Sequence, residues 1–217
     1  MKSRNEILNR LRKAKKKELH MPPVAADKIL FADYPQDKSI LTEIFSTQLS
    51  SLSGEIFRFN TFSDAANTLV ELIKNVDRGL CLAQRTTEIE QLFESNKWLT
   101  EYFTFLEDIA IDSEEFAKYE IAITGADYLI ARTGSIFLRS ATAGGRRLSV
   151  LPPTHIIIAR ENQIVYSLDD VFKQLDRESG WSYATFITGP SRTSDIEKQL
   201  VLGAHGPKRL IVLLIKD

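Results

Sequence analysis

The stretch from Ala184 to Asp217 reads ATFITGPSRTSDIEKQLVLGAHGPKRLIVLLIKD. An apolar run ends at a Gly-Pro turn, a polar cluster follows with the composition of a helix start, and a glycine-containing loop leads into a second apolar run. This alternation predicts a βαβ unit. Because the first turn of such a helix has free backbone N–H groups, it can bind an anion or a polar ligand. The sequence therefore places the candidate chemistry near this stretch.

Composition limits the classes of function. The chain has 217 residues, of which 43% are hydrophobic, enough for one large α/β domain with an appended segment. Its 28 basic and 29 acidic residues leave a net charge of -1, so no overall basic surface points to a nucleic-acid partner. The single cysteine, Cys81, cannot by itself form a disulfide, a structural zinc site or an iron–sulfur cluster. We expect neither a metal nor a cofactor.

The sequence has no apolar run approaching the roughly 20 residues that a membrane-spanning helix needs. Its N-terminus is charged and lacks the apolar segment of a secretory signal. These features predict a cytoplasmic protein without membrane insertion.

The N-terminal segment, residues 2–17, is a candidate helix with Ser3 and Glu6 spaced as a capping box. Its narrow apolar stripe favours docking on its own domain or on a second copy, which would give a homo-oligomer. Prolines at 22, 23 and 35 then indicate a linker. The predicted organisation is an N-terminal helix, a linker and an α/β domain over residues 1–20, 21–40 and 41–217.

Strand-like and helix-like segments alternate through the rest of the chain, which favours a sheet that is at least partly parallel. The clearest predicted strands are 55–59, 80–83 and the two ends of the 184–217 stretch. The clearest predicted helices are 41–52, a segment capped by Ser63 and running to about 75, 86–95 and 168–175.

Four ordered blocks carry a family resemblance. They are TGADYLIARTGS (124–135), GGRRLSVLPPTHI (144–156), TGPSRTSDIE (188–197) and LGAHGPKRL (202–210). Together they resemble the LUD domain family, and most closely its bacterial lactate-utilization branch. The N-terminal SRNEILNRLR is similar to the start of those proteins, so the resemblance spans nearly the whole chain.

The resemblance implies an open, largely parallel, Rossmann-like sheet similar to the sugar-phosphate isomerase and CoA-transferase group, preceded by a separate N-terminal helix. It also implies a role in oxidising L-lactate to pyruvate alongside iron–sulfur lactate utilization proteins. With one cysteine, this chain would be the non-redox component. A stand-alone enzyme or a binding protein for a phosphorylated, CoA-linked or carboxylate metabolite is the alternative, since fold analogy alone cannot decide between them.

One residue departs from the family pattern. The family usually has an acidic residue at the position of Arg132, where a carboxylate would be a candidate nucleophile or base. A permanent cation at this position argues against covalent carboxylate catalysis. Arg132 could instead bind a substrate carboxylate through its guanidinium fork or form a salt bridge with a nearby acidic residue.

Glycine-rich and arginine-bearing loops suggest one shared site for a carboxylate or phosphate ligand. We predict that the loops 132–135, 144–147, 189–194 and 203–206 converge on one cleft at the carboxyl ends of the strands. The alternatives are an ordinary surface turn for the second loop and a capping box of Ser194 and Glu197 for the third. The candidate ligand-binding residues are Arg132, Gly134, Ser135, Arg146, Gly189, Ser191, Arg192, Thr193, His205 and Gly206.

The catalytic residues are not assigned by any motif. His155, at the start of an apolar run, and His205, in the loop after the predicted helix, are the candidates for acid–base chemistry. The alternative is that each histidine only satisfies backbone carbonyl groups at the end of an element.

Overall fold

The computed structural model describes residues 4, 6–7, 9–10, 34–77, 80–140, 147–175, 183–193, 201–202 and 206–217. Contacts divide the chain into two compact units, Met1–Tyr34 and Pro35–Asp217. In the first unit, residues 4, 6–7 and 9–10 are helical and exposed and fall inside the predicted N-terminal helix, whereas Tyr34 is non-helical and half-buried. The predicted cap Ser3 and most of the predicted linker lie outside the described residues.

The elements of the second unit follow in chain order. The α-helices are α1 (Lys38–Ser51), α2 (Phe62–Ile73), α3 (Thr87–Ser95), α4 (Ser113–Phe116) and α5 (Leu168–Gln174). The strands are β1 (Glu55–Phe59), β2 (Cys81–Ala83), β3 (Phe103–Phe105), β4 (Ile121–Thr124), β5 (Tyr128–Ile130), β6 (Ser135–Arg139), β7 (Thr154–Arg160), β8 (Ile164–Val165), β9 (Ala184–Ile187), β10 (Arg192–Thr193), β11 (Val201–Leu202) and β12 (Arg209–Ile215). Short 3-10 turns occupy Lys97–Glu101, Leu106–Asp108, Ala131–Thr133 and Glu161–Gln163.

Side-chain caps fix where the long helices begin. Asp37 Oδ1 accepts hydrogen bonds from the backbone N–H groups of Ser39 and Ile40, so α1 begins three residues before the predicted start at 41. Thr61 caps α2 by accepting from the N–H of Asp64 at 3.1 Å. The predicted cap at Ser63 is therefore wrong, because the threonine two residues earlier already satisfies the orphan N–H group.

Six strands form a wholly parallel sheet in the order β1-β12-β7-β4-β2-β3. The predicted α/β class with a largely parallel sheet is confirmed. Because all six strands run in one direction, the sheet has a carboxyl edge, where the strands end, and an amino edge, where they begin. Strand β12 is the last in chain order but lies second in the sheet, between β1 and β7.

Apolar layers cover both faces of this sheet. Alternate residues of β12 divide between the faces, with Ile211, Leu213 and Ile215 on one and Leu210, Val212 and Leu214 on the other. Helices α2 and α3 pack on the first face. The second face packs against α1 and against a four-stranded sheet of order β8-β5-β6-β9.

The predicted βαβ unit at 184–217 is wrong. Strand β9 pairs antiparallel with β6 in the four-stranded sheet, whereas β12 lies in the parallel sheet. Between them, Arg192 and Thr193 pair antiparallel with Leu202 and Val201. The predicted helix start at Ser194 lies outside the described residues. An apolar run indicates a buried strand, but it does not say which neighbour the strand pairs with.

Candidate functional site

Two of the predicted loops meet at the last turn of α1. Gly134 has φ 62°, and a Cβ atom at this position would lie 2.6 Å from the backbone nitrogen of Leu49. Gly189 has φ 83°, and its Cβ would lie 2.8 Å from the carbonyl oxygen of Leu52. Both positions need glycine, because a side chain would strain the backbone and collide with the helix end.

Direct contacts join further predicted residues to this place. The Ser135 and Thr188 hydroxyl oxygens lie 2.8 Å apart. The Ser191 N–H donates to the Pro207 carbonyl at 2.8 Å, and a Cβ on Gly206 would lie 3.2 Å from that of Ser191. The structure thus brings the loops of Gly134, Gly189 and Gly206 together.

This loop cluster lies at the amino edge of the parallel sheet. The chain enters β12 directly after Pro207, and the N–H groups of Lys208 and Arg209 donate to the Pro153 carbonyl, just before β7 begins. Ligands of open α/β sheets usually bind at the opposite, carboxyl edge. The end of α1 also presents carbonyl groups, whose negative partial charge disfavours an anion.

The two described arginines among the predicted ligand-binding residues are both exposed. Arg192 is exposed, and one of its terminal nitrogens lies 3.6 Å from the Cβ position of Gly189. Arg132 is exposed, and its N–H donates to the Tyr166 carbonyl. Thr193 lies in β10. Arg146 and His205 lie outside the described residues. The neighbouring Arg147 packs over the Phe116 ring, 5.2 Å from its centroid.

His155 is fully buried in β7. Its Nε2 lies 2.9 Å from the Thr124 hydroxyl, and its Nδ1 has no hydrogen-bond partner in the described part of the chain. Burial lowers the pKa of His155 to about 3, so the imidazole is neutral near pH 7. An acid–base group must reach its substrate, and the described structure gives His155 no such access.

The sheet has a topological switch point between β2 and β4. The chain leaves β2 through α3 on one face and leaves β4 through β5 and β6 on the other. Gln84 Oε1 accepts from the Gly125 N–H here at 3.1 Å, and Gln84 is only 2% exposed. Gln84 is not among the residues predicted from the sequence, although a polar residue directly after a buried strand was an available signal.

Charged side chains already satisfy one another beside this switch point. Arg85 binds Glu90 at 3.2 Å and Asp108 at 2.6 Å, and its guanidinium stacks 4.1 Å from the Phe105 ring centroid. Its backbone N–H donates to Glu107 at 3.1 Å. Since three carboxylates surround this arginine, it is a poor receptor for an anionic ligand.

A polar cavity opens elsewhere on the carboxyl edge, above β1, β12 and β7. It encloses about 210 Å³. The lining residues are Ser39, Arg58, Phe59, Asn60, Glu161 and Lys216. We call it the carboxyl-edge cavity. It combines two cations with one carboxylate and two neutral polar side chains.

The connections of the neighbouring strands explain why space remains there. The chain leaves β1 through α2 on one face and leaves β7 through β8 on the other. Divergent connections of this kind produce the crevices in which α/β proteins bind ligands. Sequence reasoning missed this set, because its members come together only through the pairing of β1 with β12.

Among the described residues, no three His, Cys, Asp or Glu side chains are grouped so that they could hold a metal ion. The described helices are also all too short or too polar to cross a membrane.

The second unit matches a known family. Residues 42–215 match the model of the LUD domain. The chain belongs to the LUD domain family. The match begins inside α1 and ends with β12, so it contains the amino-edge loops and most of the carboxyl-edge cavity. Of the cavity residues, Ser39 and Lys216 lie just outside it.

Relatives of this LUD-domain chain include proteins named lactate utilization protein C. One from Halalkalibacterium halodurans is 35% identical over 109 residues, which are 48% of this chain and 47% of that protein. The match therefore spans about half of that relative. Another from Macrococcus caseolyticus is 27% identical over 198 residues, covering 84% of each chain.

The same fold occurs in a crystal structure of a DUF162 family protein from Deinococcus radiodurans. The TM-score is 0.64 at 20% identity, and the similarity covers 83% of this chain and 99% of that chain. At this identity the likeness concerns the fold of the LUD domain alone.

Proposed function

We propose that this LUD-domain chain is a non-redox component of a lactate utilization system, in which iron–sulfur partner proteins oxidise L-lactate to pyruvate. The main support is the similarity to proteins named lactate utilization protein C, which in one case extends over 84% of both chains. A role shared with those relatives is the simplest account of a similarity of that extent.

The non-redox assignment rests on Cys81. It is the only cysteine, it lies fully buried in β2, and burial, with a smaller contribution from Glu120, raises the pKa of its thiol to about 12. Cluster ligation needs several accessible thiolates. The electrons would therefore pass through cofactors held by the partner proteins.

A genetic and biochemical pair of experiments tests this function. Cells lacking the chain should fail to grow on L-lactate as the sole carbon source, and the intact chain should restore growth. The Cys81→Ala variant is the matched control, and it should restore growth equally. Normal growth without the chain would contradict the role in lactate utilization. Stoichiometric iron and sulfide in the purified chain would contradict the non-redox assignment.

A stand-alone binding protein or enzyme for a carboxylate, phosphorylated or CoA-linked metabolite is the second candidate. The carboxyl-edge cavity favours it, because Arg58 and Lys216 supply positive charge at the edge where α/β proteins bind ligands. Turnover of such a metabolite by the purified chain alone would favour this candidate. L-Lactate oxidation that requires both this chain and the iron–sulfur partners would favour the first.

A further inference from the structure

We propose that the carboxyl-edge cavity binds a small monocarboxylate that carries a hydroxyl group on the neighbouring carbon. The assignment of the cavity rests on geometry and charge. Only the choice of L-lactate as the first probe rests on the proposed function.

Size restricts the ligand. The cavity encloses about 210 Å³, below the roughly 300–1,000 Å³ typical of sites for drug-sized ligands. A nucleotide or coenzyme A would extend far outside it. A hydroxy acid of a few heavy atoms is of the right size.

Charge restricts it further. The lining has Arg58 and Lys216 as cations and Glu161 as its carboxylate. Arg58 also pairs with Glu43 outside the lining, and it lies 3.6 Å from Glu161. Within the described part of the chain, the Lys216 ammonium has no carboxylate partner. A monoanion balances this site better than a phosphate dianion.

The neutral polar groups supply the second recognition element. The side chains of Ser39 and Asn60 have no hydrogen-bond partner among the described residues. They can therefore bond a ligand hydroxyl, and Glu161 can accept its proton in a hydrogen bond. Phe59 is the one apolar member of the lining and suits the hydrocarbon part of the ligand.

Two nearby groups are already occupied and do not contribute. The Asp37 carboxylate accepts a hydrogen bond from the backbone N–H of Ser39 at the start of α1. The Lys38 ammonium donates to the carbonyl groups of Asn162 and Ile164 at 2.9 and 2.6 Å. Recognition thus depends on Lys216 and Arg58 for the carboxylate and on the polar side chains for the hydroxyl.

Binding to the purified full-length chain tests the proposal, with calorimetric titration of L-lactate as the readout. We expect saturable binding that Lys216→Met weakens about tenfold or more, because the change removes the unpaired charge but keeps an unbranched side chain of nearly the same length. The matched control is Lys173→Met on α5, whose partner is Asp170 at 3.7 Å and which lies outside the cavity lining. It should bind L-lactate normally.

Acetate and phosphate serve as comparison ligands. Asn60→Ala should weaken L-lactate binding and leave acetate binding unchanged, because acetate has no hydroxyl. Phosphate should bind more weakly than L-lactate. Tighter binding of phosphate, equal effects of Asn60→Ala on both carboxylates, or no saturable binding of L-lactate would overturn the proposal.

Arg192→Ala distinguishes this cavity from the amino-edge loops. Loss of L-lactate binding in that variant, with normal binding in Lys216→Met, would move the site to the other edge and overturn the proposal. Binding and growth are separate readouts. A chain that binds L-lactate in the cavity but is dispensable for growth on it would keep this site and remove the proposed function.

Discussion

His155 lies within the parallel sheet, where its imidazole is removed from water and contacts the Thr124 hydroxyl. In the unfolded chain the imidazole has its ordinary pKa of 6.5, whereas burial lowers the pKa in the folded chain to about 3. Between these values the unfolded state binds more protons than the folded state. Acid therefore favours unfolding, and the contribution of His155 to stability becomes independent of pH above about 6.5.

We expect the free energy of unfolding to fall by about 2 kcal/mol between pH 7 and pH 5 because of this one group. His155→Leu should lack that component, and Thr124 keeps its hydrogen bond to the Gly125 carbonyl in the variant. Urea unfolding at pH 5, 6 and 7 measures how the free energy of unfolding of each protein changes with pH. Equal pH dependence in the two proteins would show that His155 is accessible to protons when folded.

The glycines at the end of α1 give a second test at the scale of single residues. Gly134→Ala should destabilise the protein by at least about 2 kcal/mol, because alanine disfavours positive φ and its Cβ would meet the backbone of α1. Gly206→Ala is the milder comparison, since its Cβ would lie 3.2 Å from a side-chain carbon of Ser191. Thermal unfolding compares the two. An unchanged midpoint for Gly134→Ala would show that the loop can move away from the helix.

At the scale of elements, an ion pair between Asp127 and Arg139 stabilises the β5–β6 hairpin at the end opposite Gly134. Asp127 accepts from the Arg139 backbone N–H at 2.7 Å and from its Nε and Nη2 at 2.9 and 2.7 Å. The Asp127 side chain is 6% exposed. This carboxylate therefore supports the hairpin that packs on α1.

Asp127→Asn should destabilise the protein by about 3 kcal/mol, the scale of breaking a buried ion pair by changing one partner. The control is Glu71→Gln, which breaks a surface pair with Lys74 whose side chains are 68% and 57% exposed. It should cost less than about 0.5 kcal/mol, because water screens such pairs. Urea unfolding measures both. Similar losses in the two variants would mean that the Asp127 pair is no stronger than a surface pair.

The sequence predicts where helices and strands begin and end better than it predicts which strands pair with each other. Strand β1 has the predicted bounds, and α5 begins at the predicted Leu168. These bounds follow from local signals, namely apolar periodicity and capping residues. Strand β9 was assigned to the wrong sheet, because burial of a short apolar run is equally compatible with either sheet.

The candidate site shows the same division. The positive-φ glycines and the contact of the 134, 189 and 206 loops agree with a shared location, but the edge of the sheet could not be read from local patterns. Arg58 and Lys216 were missed because they face one cavity only through pairing of β1 with β12. That pairing joins residues such as Glu55 and Arg209, which are 154 positions apart.

At the scale of the whole molecule, the two units should be separable. We expect a chain that begins at Pro35 to unfold in one cooperative transition at the midpoint of the full chain, because residues 35–217 form a compact unit with its own core. Circular dichroism measures this midpoint. A loss of cooperative unfolding would show that the first unit belongs to the same core.

The same truncation tests the proposal that the N-terminal helix mediates association. Light scattering should find a lower mass for the shortened protein, beyond the mass of the removed residues, or a loss of binding to the iron–sulfur partners. If the shortened chain retains both its oligomeric state and its partners, the helix has another role.

The position of β12 has a consequence for how the protein is made on the ribosome. Strands β1 and β7 are synthesised before β12. Because β12 lies between them in the sheet, the edge of each strand that will pair with β12 has no partner until β12 is made. Exposed edges of this kind invite pairing with other nascent chains. The parallel sheet can be completed only after the apolar run 209–215, which forms β12, has been translated. Until then the edges of β1 and β7 that β12 will cover stay open to such pairing.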